Sequence, residues 1–265
     1  MAASKLLIAT RASLDPDRMR DVDALVREAG WNQVAADWRI FLELGHVHAA
    51  HDGAGRIVAT AATLPYGRFG WISMVLVTQA YRRQGLATLL MQRCLAELTS
   101  AGCIPVLDAT PAGREVYRAL GFADTWSFHR LTRSERSGAA VPASGAEASA
   151  SGGNVVIRPI DDELWPAICA YDAAAFGADR SALLGHLRRR LPQAALCAVR
   201  AGHIAGVLLG RDGRSAAQLG PLVAQDDAAA QALLARALAA VAGPLYIDLA
   251  DAKAATAACL ADRGF

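Results

Sequence analysis

The sequence predicts an α/β (α+β) protein of two tandem domains in which short strands alternate with amphipathic helices. Three observations predict it. Residues 71–98 read as a buried strand, a basic glycine-containing turn and an amphipathic helix. The strand and helix patterns around this unit begin again near residue 155. Between the copies, residues 133–153 are rich in Ser, Ala, Gly and Glu without periodicity, the composition of a flexible linker that cannot bury enough apolar surface to order itself.

The strand–turn–helix unit carries the chemistry. Trp71 to Val77 is an apolar run, and Ala87, Leu90, Met91, Cys94 and Leu98 recur at helical spacing with Gln92, Arg93 and Glu97 on the other side. The first N–H groups of a helix lack internal partners and lie at the positive end of its dipole, so a turn that lets backbone approach closely favours an anion. Gly85 and Ala87 keep that approach open, and Arg82 and Arg83 add charge. Gly85 alone would equally suit an ordinary loop.

Arg82-x-x-Gly85-x-Ala87 after a hydrophobic strand is similar to the Gln/Arg-x-x-Gly-x-Gly/Ala signature of the GCN5-related N-acetyltransferases (GNAT). Tyr117-Arg118-Ala119-Leu120-Gly121-Phe122 resembles the Tyr-x-x-Leu-Gly-Phe segment of the same superfamily. Gly30-Trp31-Asn32, Trp71 to Val77 and Leu107 to Gly113 also resemble the bacterial branch of YitH/HolE-type acetyltransferases.

This resemblance implies two GNAT folds, each a mixed, mostly antiparallel sheet flanked by helices, with acetyl-CoA as acyl donor and a primary amine as acceptor. It places the pyrophosphate on the turn and the pantetheine arm along the preceding strand. The implied cofactor-binding residues are Met74, Val75, Leu76, Val77, Arg82, Arg83, Gln84, Gly85, Leu86, Ala87 and Thr88. A strand bulge near Met74 and Val75 would aim N–H groups at the thioester oxygen. Tyr117 is the implied acid for the departing thiolate, with ring packing as its alternative role. Asp108 is the first carboxylate to consider as base, ahead of Glu43 and His48, although it could instead cap the next helix. Trp31 and Asn32, with Asp37, fall in the segment that covers the acceptor site in this family; packing and capping are their alternatives. Trp71 joins Trp31 and Asn32 as an implied substrate contact. Pro111 stands where many members carry an asparagine that touches CoA, so that contact is not expected. A transferase for another acyl-CoA, or a non-catalytic acyl-CoA sensor or scaffold, are the competing readings.

In chain order, Leu6 to Arg11 reads as a strand, Asp15 to Trp31 as a helix and Asp37 to Leu44 as a second helix. Val47 to Leu64 reads as a hairpin turning at Asp52-Gly53-Ala54-Gly55. His46, His48 and His51 lie beside it with no carboxylate or thiol at ligand spacing, so no metal is expected. Ile104 to Ala109 is the next strand, Thr110 caps a helix opened by Pro111, and Ala123 to Leu131 should close the first sheet, ending that domain at 132.

Residues 154–265 repeat this order. Val155 to Ile160, Ala195 to Leu209, Leu219 to Val223, Ala228 to Val241, Leu245 to Ala250 and Arg263-Gly264-Phe265 are the counterparts. Aligning Leu89-Leu90 with Leu233-Leu234 sets Asp226 and Asp227 opposite Arg82 and Arg83, Ala229 opposite Gly85, and Leu260 opposite Tyr117. Two carboxylates would repel a pyrophosphate. The second copy therefore reads as degenerate, extending the acceptor site or forming a homodimer.

A formal charge of +2 gives no case for a nucleic-acid or membrane partner. No apolar run has spanning length, and Met1 to Lys5 does not open a signal peptide. The five cysteines are scattered and odd in number, which suits reduced thiols in a cytoplasmic protein.

Overall fold

The computed structural model describes residues 7–11, 13–134 and 155–265. The chain forms two compact units, residues 1–123 and 124–265. The expected linker lies outside the described residues apart from Arg133 and the adjoining Ser134.

In unit 1, β1 (Leu7–Arg11), β2 (His46–His51), β3 (Ile57–Tyr66), β4 (Phe69–Val77) and β5 (Ile104–Leu107) form one sheet in that order. Neighbours are antiparallel except β4 and β5, which are parallel. The β2–β3 hairpin turns where Asp52 accepts from the N–H groups of Ala54 and Arg56.

Alternation along each strand sends side chains to opposite faces. Val47, Ala49, Ala62, Met74 and Leu76 pack with Val22, Leu25, Val26 and Trp38, so α1 (Pro16–Glu28) and α2 (Ala35–Leu44) cover one face. Ala50, Ala59, Ala61 and Ile72 pack with Leu86, Leu90, Met91, Cys94 and Leu98 of α3 (Leu86–Ser100) on the other. Gly70 makes that approach possible, since a Cβ there would stand 2.3 Å from Leu98 Cδ2. Helix α4 (Pro111–Ala119) begins at Thr110, whose hydroxyl accepts from Gly113 N–H. It ends at Gly121 (φ 93°), where Phe122 N–H closes on Tyr117 O at 3.1 Å.

In unit 2, β7 (Val155–Pro159), β8 (Leu196–Arg200), β9 (His203–Arg211) and β10 (Ala217–Ala224) run antiparallel, and β11 (Leu245–Ala250) is parallel to β10. Helices α5 (Trp165–Phe176) and α6 (Ser181–Arg190) pack on one face of this sheet, with Ile168, Leu184 and Leu187 against Val207 and Leu209. Helices α7 (Asp227–Ala240) and α8 (Ala254–Ala261) join the core on the other face.

One strand departs from expectation. The segment expected to close the first sheet forms β6 (Phe128–Arg133), which pairs antiparallel with β11 and is the sixth strand of unit 2. The pairing runs from Phe128 opposite Ala250 to Arg133 opposite Leu245, and Leu131 packs on the unit 2 core. Arg130 adds two hydrogen bonds to Asp248, at 2.7 and 2.8 Å. These interactions belong to unit 2, whereas the repeat in the sequence carries only the order of elements.

Candidate active site

Strand β4 breaks its pairing with β3 between the pairs Ala62–Ser73 and Thr60–Leu76. One extra residue is accommodated there, and Met74 takes a left-handed conformation (φ 54°). Thr60 Oγ1 donates to Met74 O at 2.8 Å and pins the bulge. Ile72 faces α3, whereas Met74 and Leu76 face α1 and α2, and Val75 and Val77 return to the α3 side. The bulge lies immediately beyond the last β4–β5 pair, Ile72 with Leu107.

The turn after β4 holds a short 3-10 helix (Gln79–Tyr81), a left-handed Arg83 (φ 59°) and Gly85 (φ 79°), which is the N-cap of α3. Gly85 makes no side-chain cap, so the first N–H groups of α3 are not met by a capping side chain. Leu86 is buried in the core, and Gln84 donates to Ala80 O. Arg82 turns away from the helix start. Its Nε donates to Val77 O at 3.0 Å and its Nη2 to Glu28 Oε1 at 3.2 Å. Glu28 also accepts from Thr78 Oγ1 at 2.6 Å and from Gln79 N–H. The Thr78 hydroxyl, with Gln79 N–H and Arg82, holds the Glu28 carboxyl below its ordinary range against the opposing effect of burial.

Tyr117 is half-buried and packs edge-on to Phe122, with centroids 6.2 Å apart. Its ring lies back over Gly113, where a Cβ would stand 2.9 Å from Tyr117 Cε2. Burial raises the phenol pKa. Asp108 follows β5 and accepts from Trp71 Nε1 at 3.2 Å, while Thr110 supplies the helix cap. The structure thus brings Asp108 and Trp71 together.

Trp31 packs against the α1–α2 core cluster and Asn32 is buried. Asp37 closes the start of α2 by accepting from Val34 N–H at 2.7 Å. His46 and His48, which have no carboxylate at ligand spacing in the sequence, both meet Glu97 of α3. His46 Nδ1 lies 3.0 Å from Glu97 Oε1, and Thr63 Oγ1 donates to that oxygen at 2.6 Å. His48 Nε2 approaches Glu97 Oε2 at 2.8 Å but out of line for a hydrogen bond, a contact that becomes an ion pair only when His48 is protonated. No local spacing could have revealed Glu97, which comes from another element. Among the described residues no group of three His, Cys, Asp or Glu is placed to hold a metal.

Unit 2 repeats the scaffold with different chemistry. Trp71 pairs with Val106 and Ile72 with Leu107; Gln218 pairs with Tyr246 and Leu219 with Ile247. With Ile72 and Leu219 each facing the helix that follows its strand, these registers set Gln218 at the place of Trp71 and Asp248 at that of Asp108, while the irregular stretch of β10 holds Gly220 and Pro221 where that of β4 holds Met74 and Val75. Strand β10 is also irregular between Leu219 and Leu222, but Pro221 has no N–H to offer there. Eight residues (78–85) separate β4 from α3, whereas only Gln225 and Asp226 separate β10 from α7.

The helix alignment shifts by one residue from expectation: buried Leu86, Leu90, Met91, Cys94 and Leu98 match buried Ala229, Leu233, Leu234, Ala237 and Val241. Asp226 therefore does not stand opposite Arg82. It is the N-cap of α7, accepting from Ala229 N–H at 2.9 Å and from Arg200 at 2.7 Å, so a carboxylate of the chain itself occupies the helix start. The Arg200 hydrogen bond, with Ala229 N–H, lowers the Asp226 pKa. Leu260 takes the place of Tyr117, since Phe265 N–H closes on Leu260 O as Phe122 N–H does on Tyr117 O.

A bulged strand, a glycine turn and a helix start, set in a mixed sheet that is repeated in the second unit, define a tandem acetyltransferase scaffold. The chain belongs to the GNAT family. Residues 15–122 match the Acetyltransferase (GNAT) family and residues 168–265 match an Acetyltransferase (GNAT) domain. It is similar to the uncharacterized N-acetyltransferase YitH of Bacillus subtilis (strain 168), with 23% identity over 249 residues, covering 91% of this chain and 82% of the relative. Among solved structures, a putative acetyltransferase from Pyrococcus horikoshii shares the fold with a TM-score of 0.65 and 22% identity, covering 91% of this chain and 79% of that one. A GCN5-related N-acetyltransferase from Sphaerobacter thermophilus does so with a TM-score of 0.61 and 16% identity, covering 92% and 86%.

Proposed function

We propose that unit 1 transfers an acetyl group from acetyl-CoA to a primary amine and that unit 2 is non-catalytic. The observation that carries this reading is the left-handed bulge at Met74, where the irregular stretch of unit 2 holds Gly220 and Pro221 instead. Backbone N–H groups at the bulge hold the thioester oxygen, and the turn from Arg83 through Thr88 cradles the pyrophosphate. Arg82 braces that turn through Glu28. The pantetheine arm lies along Met74 to Val77.

The neutral amine attacks the thioester carbonyl carbon. A C–N bond forms, the C–S bond breaks as the oxyanion collapses, and the CoA thiolate takes a proton from Tyr117. The ammonium substrate loses one proton before attack and the new amide nitrogen loses another, so one proton remains in solution after Tyr117 is restored. Free Cys94, Cys103, Cys169, Cys197 and Cys259 fit a cytoplasmic setting.

Calorimetric titration with acetyl-CoA, followed by thiol-release assays with added amines, tests the reading. One binding site per chain and amine-dependent release of CoA thiol are expected. No binding, or binding that survives disruption of the unit 1 turn, would overturn it. Tight binding without transfer would favour an acyl-CoA sensor, a reading that the retained Tyr117 speaks against.

A further inference from the structure

Thr60 carries the one hydroxyl of an otherwise apolar stretch, residues 57–62 of β3, and it is fully buried. Its ladder partner Leu76 packs under α1 and α2, so Thr60 faces that side of the sheet, where the Met74 side chain also lies. A bulge interrupts the ladder, and a buried carbonyl at such a point needs a partner from elsewhere. Thr60 Oγ1 supplies one by donating to Met74 O at 2.8 Å.

The direction of that bond fixes a second group. Met74 O and Val75 N–H belong to one trans peptide plane, in which carbonyl and N–H point in nearly opposite directions. With the carbonyl drawn toward Thr60 on β3, the Val75 N–H is turned to the side of β4 on which β5 pairs. That pairing has already ended at Ile72 with Leu107. The N–H is therefore aimed into the opening that begins beyond the last β4–β5 pair.

Unit 2 lacks both halves of this arrangement. Its irregular stretch, between Leu219 and Leu222, contains Pro221, which has no N–H. Strand β9, which pairs with that stretch, carries no Ser or Thr, and the residues opposite it are Leu208 and Leu209. The sheet keeps an irregularity at this point without a hydroxyl, so the fold itself does not demand the Thr60 contact.

We propose that Thr60 is a positioning residue for acyl transfer, its hydroxyl setting the Met74–Val75 peptide so that Val75 N–H donates to the thioester oxygen of acetyl-CoA. This rests on the acetyltransferase reading. The hydroxyl is engaged on the carbonyl side of the peptide, away from the Val75 N–H, and acts through the peptide plane alone. A donor fixed before the reaction needs no reorganisation as negative charge develops on the thioester oxygen, whereas a peptide free to tilt loses the alignment on which that bond depends.

The test titrates the full chain calorimetrically with acetyl-CoA, isotopically labelled at its thioester carbonyl carbon, and reads the bound carbonyl by isotope-edited infrared spectroscopy. In the wild-type chain the carbonyl stretch should lie at lower wavenumber than in free acetyl-CoA. Thr60→Val, close in shape but without the donor, should bind with a Kd within about tenfold of wild type, one hydrogen bond being at stake, and return the stretch toward its free position. Thr60→Ser keeps the hydroxyl and should keep the shift. A hydroxyl that served stability alone would alter the unfolding midpoint of Thr60→Val and leave the bound carbonyl unchanged. In wild-type chain carrying isotope-labelled valine, the Val75 amide proton resonance should move downfield on addition of acetyl-CoA, a readout that stands if the valine variant fails to fold. An unshifted carbonyl in the wild-type complex, a shift unchanged in folded Thr60→Val or lost in folded Thr60→Ser, or a Val75 amide indifferent to acetyl-CoA would overturn the proposal. Absence of acetyl-CoA binding by the wild-type chain would instead overturn the reading beneath it.

Discussion

The Glu28 carboxylate, at the end of α1, receives the Arg82 guanidinium at 3.2 Å from across the turn that follows β4. Because Glu28 also accepts from Thr78 Oγ1 and Gln79 N–H, one side chain braces three groups of the proposed cofactor turn. Arg82, expected to meet phosphate, holds the loop in this structure, and the proposed anion contacts that remain are Arg83 and the backbone N–H groups at the start of α3. Its partner adjoins the Gly30-Trp31-Asn32 segment, so donor turn and proposed acceptor flank are mechanically joined.

Replacing Glu28 with Ala should weaken acetyl-CoA binding about three- to tenfold, in line with loss of partly exposed, charge-assisted hydrogen bonds. Glu28→Gln should fall between, since an amide oxygen still accepts from Thr78 and Gln79. The folded pKa of Glu28 is lowered, so its bracing is present above the unfolded carboxylate value and is lost as pH falls through the folded one. Calorimetric Kd values for CoA across acid pH check both expectations.

Tyr117→Phe should lower kcat by ~10²- to 10⁴-fold, the usual contribution of a positioned acid, with little change in KM for acetyl-CoA. Burial raises the phenol pKa, so the donor stays protonated at neutral pH and the alkaline fall of kcat lies above the ordinary tyrosine value of about 10. An unchanged turnover in a folded variant would remove Tyr117 from the acid role.

Met74 combines a left-handed backbone with a buried side chain, at φ 54° and 3% exposure. Met74→Leu keeps volume and an unbranched Cβ and should change stability by less than about 1.5 kcal/mol. Met74→Ile adds a β-branch where left-handed backbone already crowds Cβ, and should cost roughly 1–2 kcal/mol more while lowering kcat through displacement of the bulge N–H groups. Urea denaturation and thiol-release kinetics on the pair separate the two effects.

Burial of His48 and the hydrogen-bonded carboxylate of Glu97 should make unit 1 sensitive to acid. Burial lowers the His48 pKa despite the opposing pull of Glu97, so the unfolded chain takes up this proton first as pH falls below about 6.5. Burial pushes Glu97 upward, but Thr63, His46 and His48 outweigh it and leave the carboxyl below its ordinary value. Both groups thus withdraw stability as pH falls, the histidine first. Scanning calorimetry should show Tm falling from about pH 6.5 downward, and Glu97→Gln should lower Tm at neutral pH while flattening the most acid part of the curve.

The local periodicities carried much of the architecture. Apolar spacing from Ala87 to Leu98 marked α3, Thr110-Pro111 marked the start of α4, and Gly121 marked its end, because period and capping act within a few residues. Arg82-x-x-Gly85-x-Ala87 likewise marked the glycine turn that opens α3, and the repeat placed Leu260 at the position of Tyr117, where the backbone closure of each copy also sets them.

Only the tertiary structure decided which partners these elements meet. Strand β6 joins β11, Arg82 turns to Glu28, Glu97 comes between two histidines, and Tyr66, Phe69 and Trp71 align beside Asp108. A strand's own residues set its two faces, whereas its neighbour is chosen by ladder hydrogen bonds, cross-strand side chains and core contacts from distant segments. The sequence by itself therefore determined the elements and the position of the glycine turn before α3; packing determined which side chains from distant segments meet around it.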